Sequence, residues 1–128
     1  MNVKHILLID DNDIDNYVTN HVIKKSKIAE KITTKNSAVA ALEFLEQIKD
    51  NPDDFPQIIF LDIKMPIMDG FGFLEKFVSS LSLIAEQCSV FMLSSSSDPA
   101  DIDRAMQFTV VKKFFTKPLK IDMIQELL

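Results

Sequence analysis

The stretch LIDDNDIDNY at positions 8–17 places four aspartates, Asp10, Asp11, Asp13 and Asp15, within six positions at the end of an apolar run. Asp62 closes a second apolar run, IIFL, in the same way. Ser94 follows a third, VFML, and Lys117 follows KKFFT with a proline behind it. Carboxylates gathered without counter-charge repel and raise one another's pKa. A hard divalent cation offsets that cost, and an all-oxygen set with few protein ligands suits Mg2+ keeping several waters, with Mn2+ as the second choice. Carboxylates, metal, a hydroxyl and an ammonium together make a pocket for a dianionic phosphoryl group. One aspartate would serve as nucleophile, because an acyl phosphate lets a carboxylate hold phosphate covalently. The metal and Lys117 would neutralise charge on the transferring oxygens, and Ser94 would donate to one of them.

That chemistry requires distant parts of the chain to meet. Continuous apolar runs at His5–Ile9, Ile58–Leu61 and Val90–Leu93 predict strands covered on both faces. Two more polar strands are expected near Lys31–Lys35 and Lys112–Thr116, the second overlapping the mixed stretch Val110–Phe115. Helical spacing separates them: Ile14, Val18, Val22; Ala38, Ala41, Leu45, Ile48; Phe71, Leu74, Val78, Leu81; and Ile102, Ala105, Met106. Asn36 or Ser37 can cap the second helix, and Ser97 or Asp98 the fourth, with Pro99 at its first turn. Strands alternating with helices predict an α/β fold, a doubly wound five-stranded parallel sheet with helices on both faces. The polar second and fifth strands belong at its edges, which gives the order 2-1-3-4-5. In such a flavodoxin-like sheet the ligand site lies where the order reverses, at the carboxyl ends of strands one and three. Those ends are Asp10-Asp11 and Asp62.

Bulk composition narrows the function. The 128 residues are the size of one domain, residues 1–128, and a 47% hydrophobic content suffices for a core. No apolar run approaches the ~20 residues of a membrane span, and the opening MNVKHILLIDD is not a signal peptide, so a soluble cytoplasmic protein is expected. With 14 basic against 19 acidic residues, net charge −5 and no basic cluster longer than a pair, direct nucleic-acid binding is disfavoured. Cys88, the single cysteine, is expected to be a small buried hydrophobe.

FLDIKMPIMDGFGFL at 60–74, with the acid pair in LLIDD, the hydroxyl in VFMLSS and the lysine in FFTKP, resembles the receiver domain of two-component response regulators. The resemblance implies roles by position. Asp62 matches the phosphoacceptor. Asp10 and Asp11 match the metal-binding acid pair, Asp11 directly and Asp10 mainly through water, and Lys64 the position whose backbone carbonyl completes the metal site. Ser94 matches the switch hydroxyl, Ser95 the small residue beside it, and Lys117 the phosphate-binding lysine. Lys117-Pro118 matches a peptide bond usually cis in receivers. Phe114 matches the switch aromatic, without the hydroxyl of the commoner tyrosine. Lys64 and Ser96 match variable positions near the water path to the phosphate. The resemblance further implies a stand-alone signalling domain rather than an enzyme, with Mg2+-dependent self-phosphorylation and slow autodephosphorylation only. Its phosphodonor would be a sensor histidine kinase or phosphotransfer protein, and its downstream protein target would bind the face of the fourth helix, fifth strand and fifth helix.

Other readings compete. Asp11, Asp13 and Asp15 occupy the first, third and fifth ligand positions of an EF-hand loop. Asn16 stands where its turn needs glycine, however, and Val22 where its bidentate glutamate belongs. Asp13 and Asp15 read more simply as an acidic first helical turn. Asp11-Asn12-Asp13-Ile14 also resembles the start of haloacid-dehalogenase-type phosphatases, in which Asp11 would be the nucleophile. That reading leaves Asp62 without a role. A degenerate receiver acting as a constitutive binding module is the remaining alternative. His5, His21, the ten phenylalanines and Met65, Met68, Met92 and Met106 read as structural, and the segment after Lys117, PLKIDMIQELL, has room for only a short last helix.

Overall fold

The structure, a computed structural model, describes residues 3–127. Five parallel strands, β1 (Val3–Ile9), β2 (Ala29–Lys35), β3 (Ile58–Leu61), β4 (Ser89–Ser94) and β5 (Val111–Thr116), form one sheet in the order β2-β1-β3-β4-β5. The helices are α1 (Asp13–Ser26), α2 (Ala38–Ile48), α3 (Gly70–Ser80), the single turn α4 (Ser82–Ala85), α5 (Pro99–Met106) and the short α6 (Ile121–Gln125). Among the described residues, no helix is long and apolar enough to cross a membrane.

The period-2 alternation of strand side chains divides the apolar runs between two cores. Leu7, Ile9, Ile59, Leu61, Val90 and Met92 face α2, α3 and α5. Ile6, Leu8, Ile58, Phe60, Phe91 and Leu93 face Ile23 of α1 and Ile124 of α6. Every residue of β3 is buried, which is why its sequence shows no alternation. Most of the phenylalanines are core residues: Phe73 stacks on Phe77 and Phe77 on Phe55, with centroids 5.4 and 6.4 Å apart. Cys88 is buried, and burial pushes its thiol up to about 12. His5 is a core residue, its ring nitrogens 2.7 Å from the Asp54 carbonyl and from Thr33 Oγ1, and burial lowers its pKa.

Local signals start the helices as expected. Ser37 accepts the Ala40 N–H at 3.0 Å, and Asp98 accepts that of Ala100 at 2.9 Å with Pro99 opening α5. Three expectations are corrected. The third helix stops at Ser80, and α4 is a separate turn. Met106 is exposed rather than filling a core gap. In α1 the buried positions are Asn16, Thr19 and Ile23, whereas Ile14, Tyr17 and Val18 face outward and Val22 is half-buried. Fourfold spacing locates a helix but does not select its inward face, and here polar Asn16 is needed inside: its side-chain amide donates to the Asp10 carbonyl at 2.8 Å.

The loop after β3 holds one backbone outlier. Ile67 has φ 72° and a fully exposed side chain, and it sits at the centre of a γ-turn closed by the Met68 N–H on the Pro66 carbonyl at 2.8 Å. A γ-turn of this hand is rare and strained, and a sparsely populated backbone conformation of this kind costs about 1–3 kcal/mol. Ile67→Gly, which removes the Cβ strain at an entropic cost of about 0.5–1 kcal/mol, is therefore expected to raise unfolding stability by about 1 kcal/mol, measured by denaturant titration, since the exposed Ile67 side chain gives up no buried apolar contact.

Candidate functional site

Backbone register builds the site before any side chain enters it. Ile9 of β1 pairs with Leu61 of β3, so Asp10 and Asp62 leave the sheet side by side. The Asp62 N–H donates to the Ile9 carbonyl at 3.0 Å, and the Asp10 N–H to the Lys35 carbonyl at 3.2 Å. On the other flank Ser94 pairs with Thr116, and the Lys117 N–H donates to the Ser94 carbonyl at 2.8 Å. The Lys117-Pro118 peptide is cis, as the resemblance implies. The β3–α3 loop is drawn tightly under Asp62, where the Gly70 N–H reaches the Ile63 carbonyl at 2.8 Å. A Cβ on Gly70 would overlap the Asp62 carbonyl oxygen and lie 3.0 Å from the Ile63 Cα, so only glycine fits this approach.

The side chains converge on Lys117. Its Nζ lies 2.6 Å from Asp10 Oδ2, 2.9 Å from Asp15 Oδ2 and 3.6 Å from Asp62 Oδ2. Burial alone would lower the pKa of Lys117, but hydrogen bonds to Asp10 and Asp15 and the charge of Asp62 raise it, so the ammonium is permanent. The remaining oxygens of the inner pair are satisfied by backbone: Asp10 Oδ1 accepts the Asn12 N–H and Asp62 Oδ1 the Ile63 N–H, both at 2.9 Å. Burial, then the charge of Asp10, push the Asp62 carboxyl up to about 6, against the opposing pull of Lys117 and the Ile63 N–H. Asp62 Oδ2 thus faces the lysine without a close donor.

Asp10, Asp11 and Asp62 each offer a carboxylate oxygen, and the three oxygens lie within 4.8 Å of one another. Three hard anionic donors on two buried residues and one exposed one fit a divalent cation open to water on one side. The expected Lys64 position lies in the exposed loop directly after Asp62. Ser94 is buried, with its Oγ accepting the Ser96 N–H at 3.1 Å, while Ser95 is exposed and Ser96 half-exposed. Phe114 is half-buried against the larger core, opposite Met92. Asp13 stays at the exposed helix start, but Asp15 does more than favour a helix dipole: it is paired with Lys117. Sequence patterning gave no signal for that pair, which joins residues 102 positions apart.

A family model described as the response regulator receiver domain matches residues 6–128. The chain belongs to that family. Among curated relatives, the receiver is 32% identical to the two-component response regulator ARR17 of Arabidopsis thaliana over 96% of this chain and 81% of the relative. Solved structures agree in fold. A two-component response regulator from Cytophaga hutchinsonii superposes with TM-score 0.93 at 30% identity, covering 99% of this chain and 95% of that one. A response regulator receiver protein from Dyadobacter fermentans gives 0.83 at 31%, covering 98% and 94%. The Mn(2+)-bound form of response regulator Rcp1 gives 0.72 at 25%, covering 97% and 88%. The flavodoxin-like architecture and the receiver reading hold, and the phosphohydrolase alternative does not.

Proposed function

We propose that Asp62 of this receiver accepts a phosphoryl group from a phosphohistidine on a sensor kinase or phosphotransfer protein, with Mg2+ held by Asp10, Asp11, Asp62 and the Lys64 carbonyl. The observation carrying this reading is Asp62 itself, a buried carboxylate at the sheet's reversal whose Oδ1 is fixed by the Ile63 N–H and whose Oδ2 faces Lys117. Oδ2 attacks phosphorus in line, the O–P bond forms as the P–N bond to imidazole breaks, and the imidazole nitrogen keeps the electron pair and takes up a proton. Mg2+, when bound, supplies charge neutralisation on the phosphoryl oxygens. Lys117, at the end of β5, adds its positive charge to the phosphoryl oxygens, and Ser94 donates a hydrogen bond to one of them.

Phosphorylation would then bias an existing conformational equilibrium, since a group that interacts better with one state populates it. Ser94 drawn to the phosphate would leave space for Phe114, altering the α5-β5-α6 face presented to a downstream protein in the cytoplasm. Within residues 1–128, read as one receiver domain, the chemistry is confined to phosphoryl acceptance and slow loss, not turnover of a separate substrate.

Incubation with acetyl phosphate tests this. Intact mass should show a single added phosphate that requires Mg2+ and is absent from Asp62→Asn. Unmodified protein in a folded sample would instead favour a degenerate receiver that binds its partner constitutively.

A further inference from the structure

The pairing of Lys117 with Asp15 is not accounted for by phosphoryl acceptance alone. Two of the lysine's carboxylate partners, Asp10 and Asp62, belong to the three-carboxylate cluster suited to a divalent cation. Asp15 lies outside that cluster, in the first turn of α1, where Asn12 fixes the backbone by accepting the N–H groups of Ile14 and Asp15 at 2.9 and 3.0 Å. Among the described residues, Lys117 is the only side chain bonded to the Asp15 carboxylate.

We propose that Asp15 is a positioning residue for Lys117, holding the ammonium at the edge of the pocket so that it does not compete with the divalent cation for Asp10 and Asp62. The inference rests on the proposed metal site. A metal drawing on Asp10 takes part of that carboxylate's negative charge, so it weakens the residue's grip on the lysine. Asp15, which takes no part in the cluster, keeps its grip. In the metal-free pocket the ammonium's shortest contact is Asp10 at 2.6 Å, and Asp15 at 2.9 Å holds it more closely than Asp62 at 3.6 Å, so Asp15 is the partner outside the cluster that can keep it when a metal draws on Asp10. Without Asp15 the lysine would settle between Asp10 and Asp62 and act as a built-in competitor of the metal.

The test is Mn2+ affinity by titration calorimetry, without any phosphodonor. Asp13→Asn is the control, because it removes an equal charge from the same helical turn and Asp13 bonds to no lysine among the described residues. Asp15→Asn is expected to weaken Mn2+ binding about three- to tenfold more than Asp13→Asn, a coupling of the size found between residues in one ion-pair network. Asp15→Glu should recover most of the loss. In a Lys117→Met background the excess loss from Asp15→Asn should vanish, because there is no ammonium left to hold. Equal losses from the two asparagine variants, or an excess that persists without Lys117, would overturn the positioning role while leaving the metal site standing. A parent protein that binds no Mn2+ would overturn the metal site and the positioning role together.

Discussion

Asp62→Asn is expected to make the metal-free receiver more stable at pH 7 to 8, by about 1–3 kcal/mol, while removing its capacity to accept phosphate. Asp62 is held beside Asp10 in a buried position, which raises its carboxyl from 3.8 to about 6. A carboxyl with a raised folded-state pKa keeps its proton longer in the native state than in the unfolded one. Its favourable contribution is present below about pH 4 and is lost as pH rises through about 6. Above that window the native protein carries the full cost of an ionised Asp62, and asparagine removes it while retaining the oxygen that accepts from Ile63. The parent and the variant should therefore converge in stability below about pH 4 and separate above pH 6, as measured by urea titration across pH. Mg2+ should narrow the gap at neutral pH, because a ligand that binds only the native state stabilises it, by about 2.7 kcal/mol at a hundred times its Kd. The parent, with three carboxylates, should gain more from Mg2+ than the variant with two.

Gly70→Ala should be the most damaging single-methyl change near the site. The added carbon meets backbone, the Asp62 carbonyl and the Ile63 Cα, so no side-chain rotation relieves the contact. Overpacking of this kind costs about 1–3 kcal/mol. Its effect on function should be larger than on folding, because the atoms that must shift are those carrying Asp62, the proposed phosphoacceptor. A displacement on the order of 1 Å at a reacting group costs about a hundredfold in rate. Acetyl phosphate incorporation should therefore fall at least tenfold in protein that remains folded by circular dichroism, the conservative end of that estimate. By contrast, Gly72→Ala meets mainly the flexible Met68 side chain and should be far milder.

The central strands were legible because burial on both faces writes itself as an uninterrupted apolar run; the β3 boundaries, Ile58–Leu61, coincide with the run itself. Edge position was legible from polarity, as in β2 and β5. The inner site residues followed from topology, since strand ends in a parallel sheet lie on one rim and Asp10, Asp62, Ser94 and Lys117 stand at such ends. The inward face of α1 was not legible. Its buried side includes Asn16 and Thr19, whose presence inside reflects a hydrogen bond to the Asp10 carbonyl and proximity to the pocket rather than apolar content. The Asp15–Lys117 pair was illegible for a different reason: it depends on how far one lysine reaches across the rim, and strand and helix periodicity carry no information about that.

The most direct measurement of the central claim is to locate the phosphate chemically. After reaction with acetyl phosphate and Mg2+, borohydride reduces an aspartyl phosphate to homoserine, and peptide mass analysis reads which aspartate has been converted. Conversion confined to Asp62 is the predicted result. Conversion at Asp11, or at Asp10, with Asp62 intact would contradict the account and make the acid pair, rather than the carboxylate that closes β3, the seat of the chemistry.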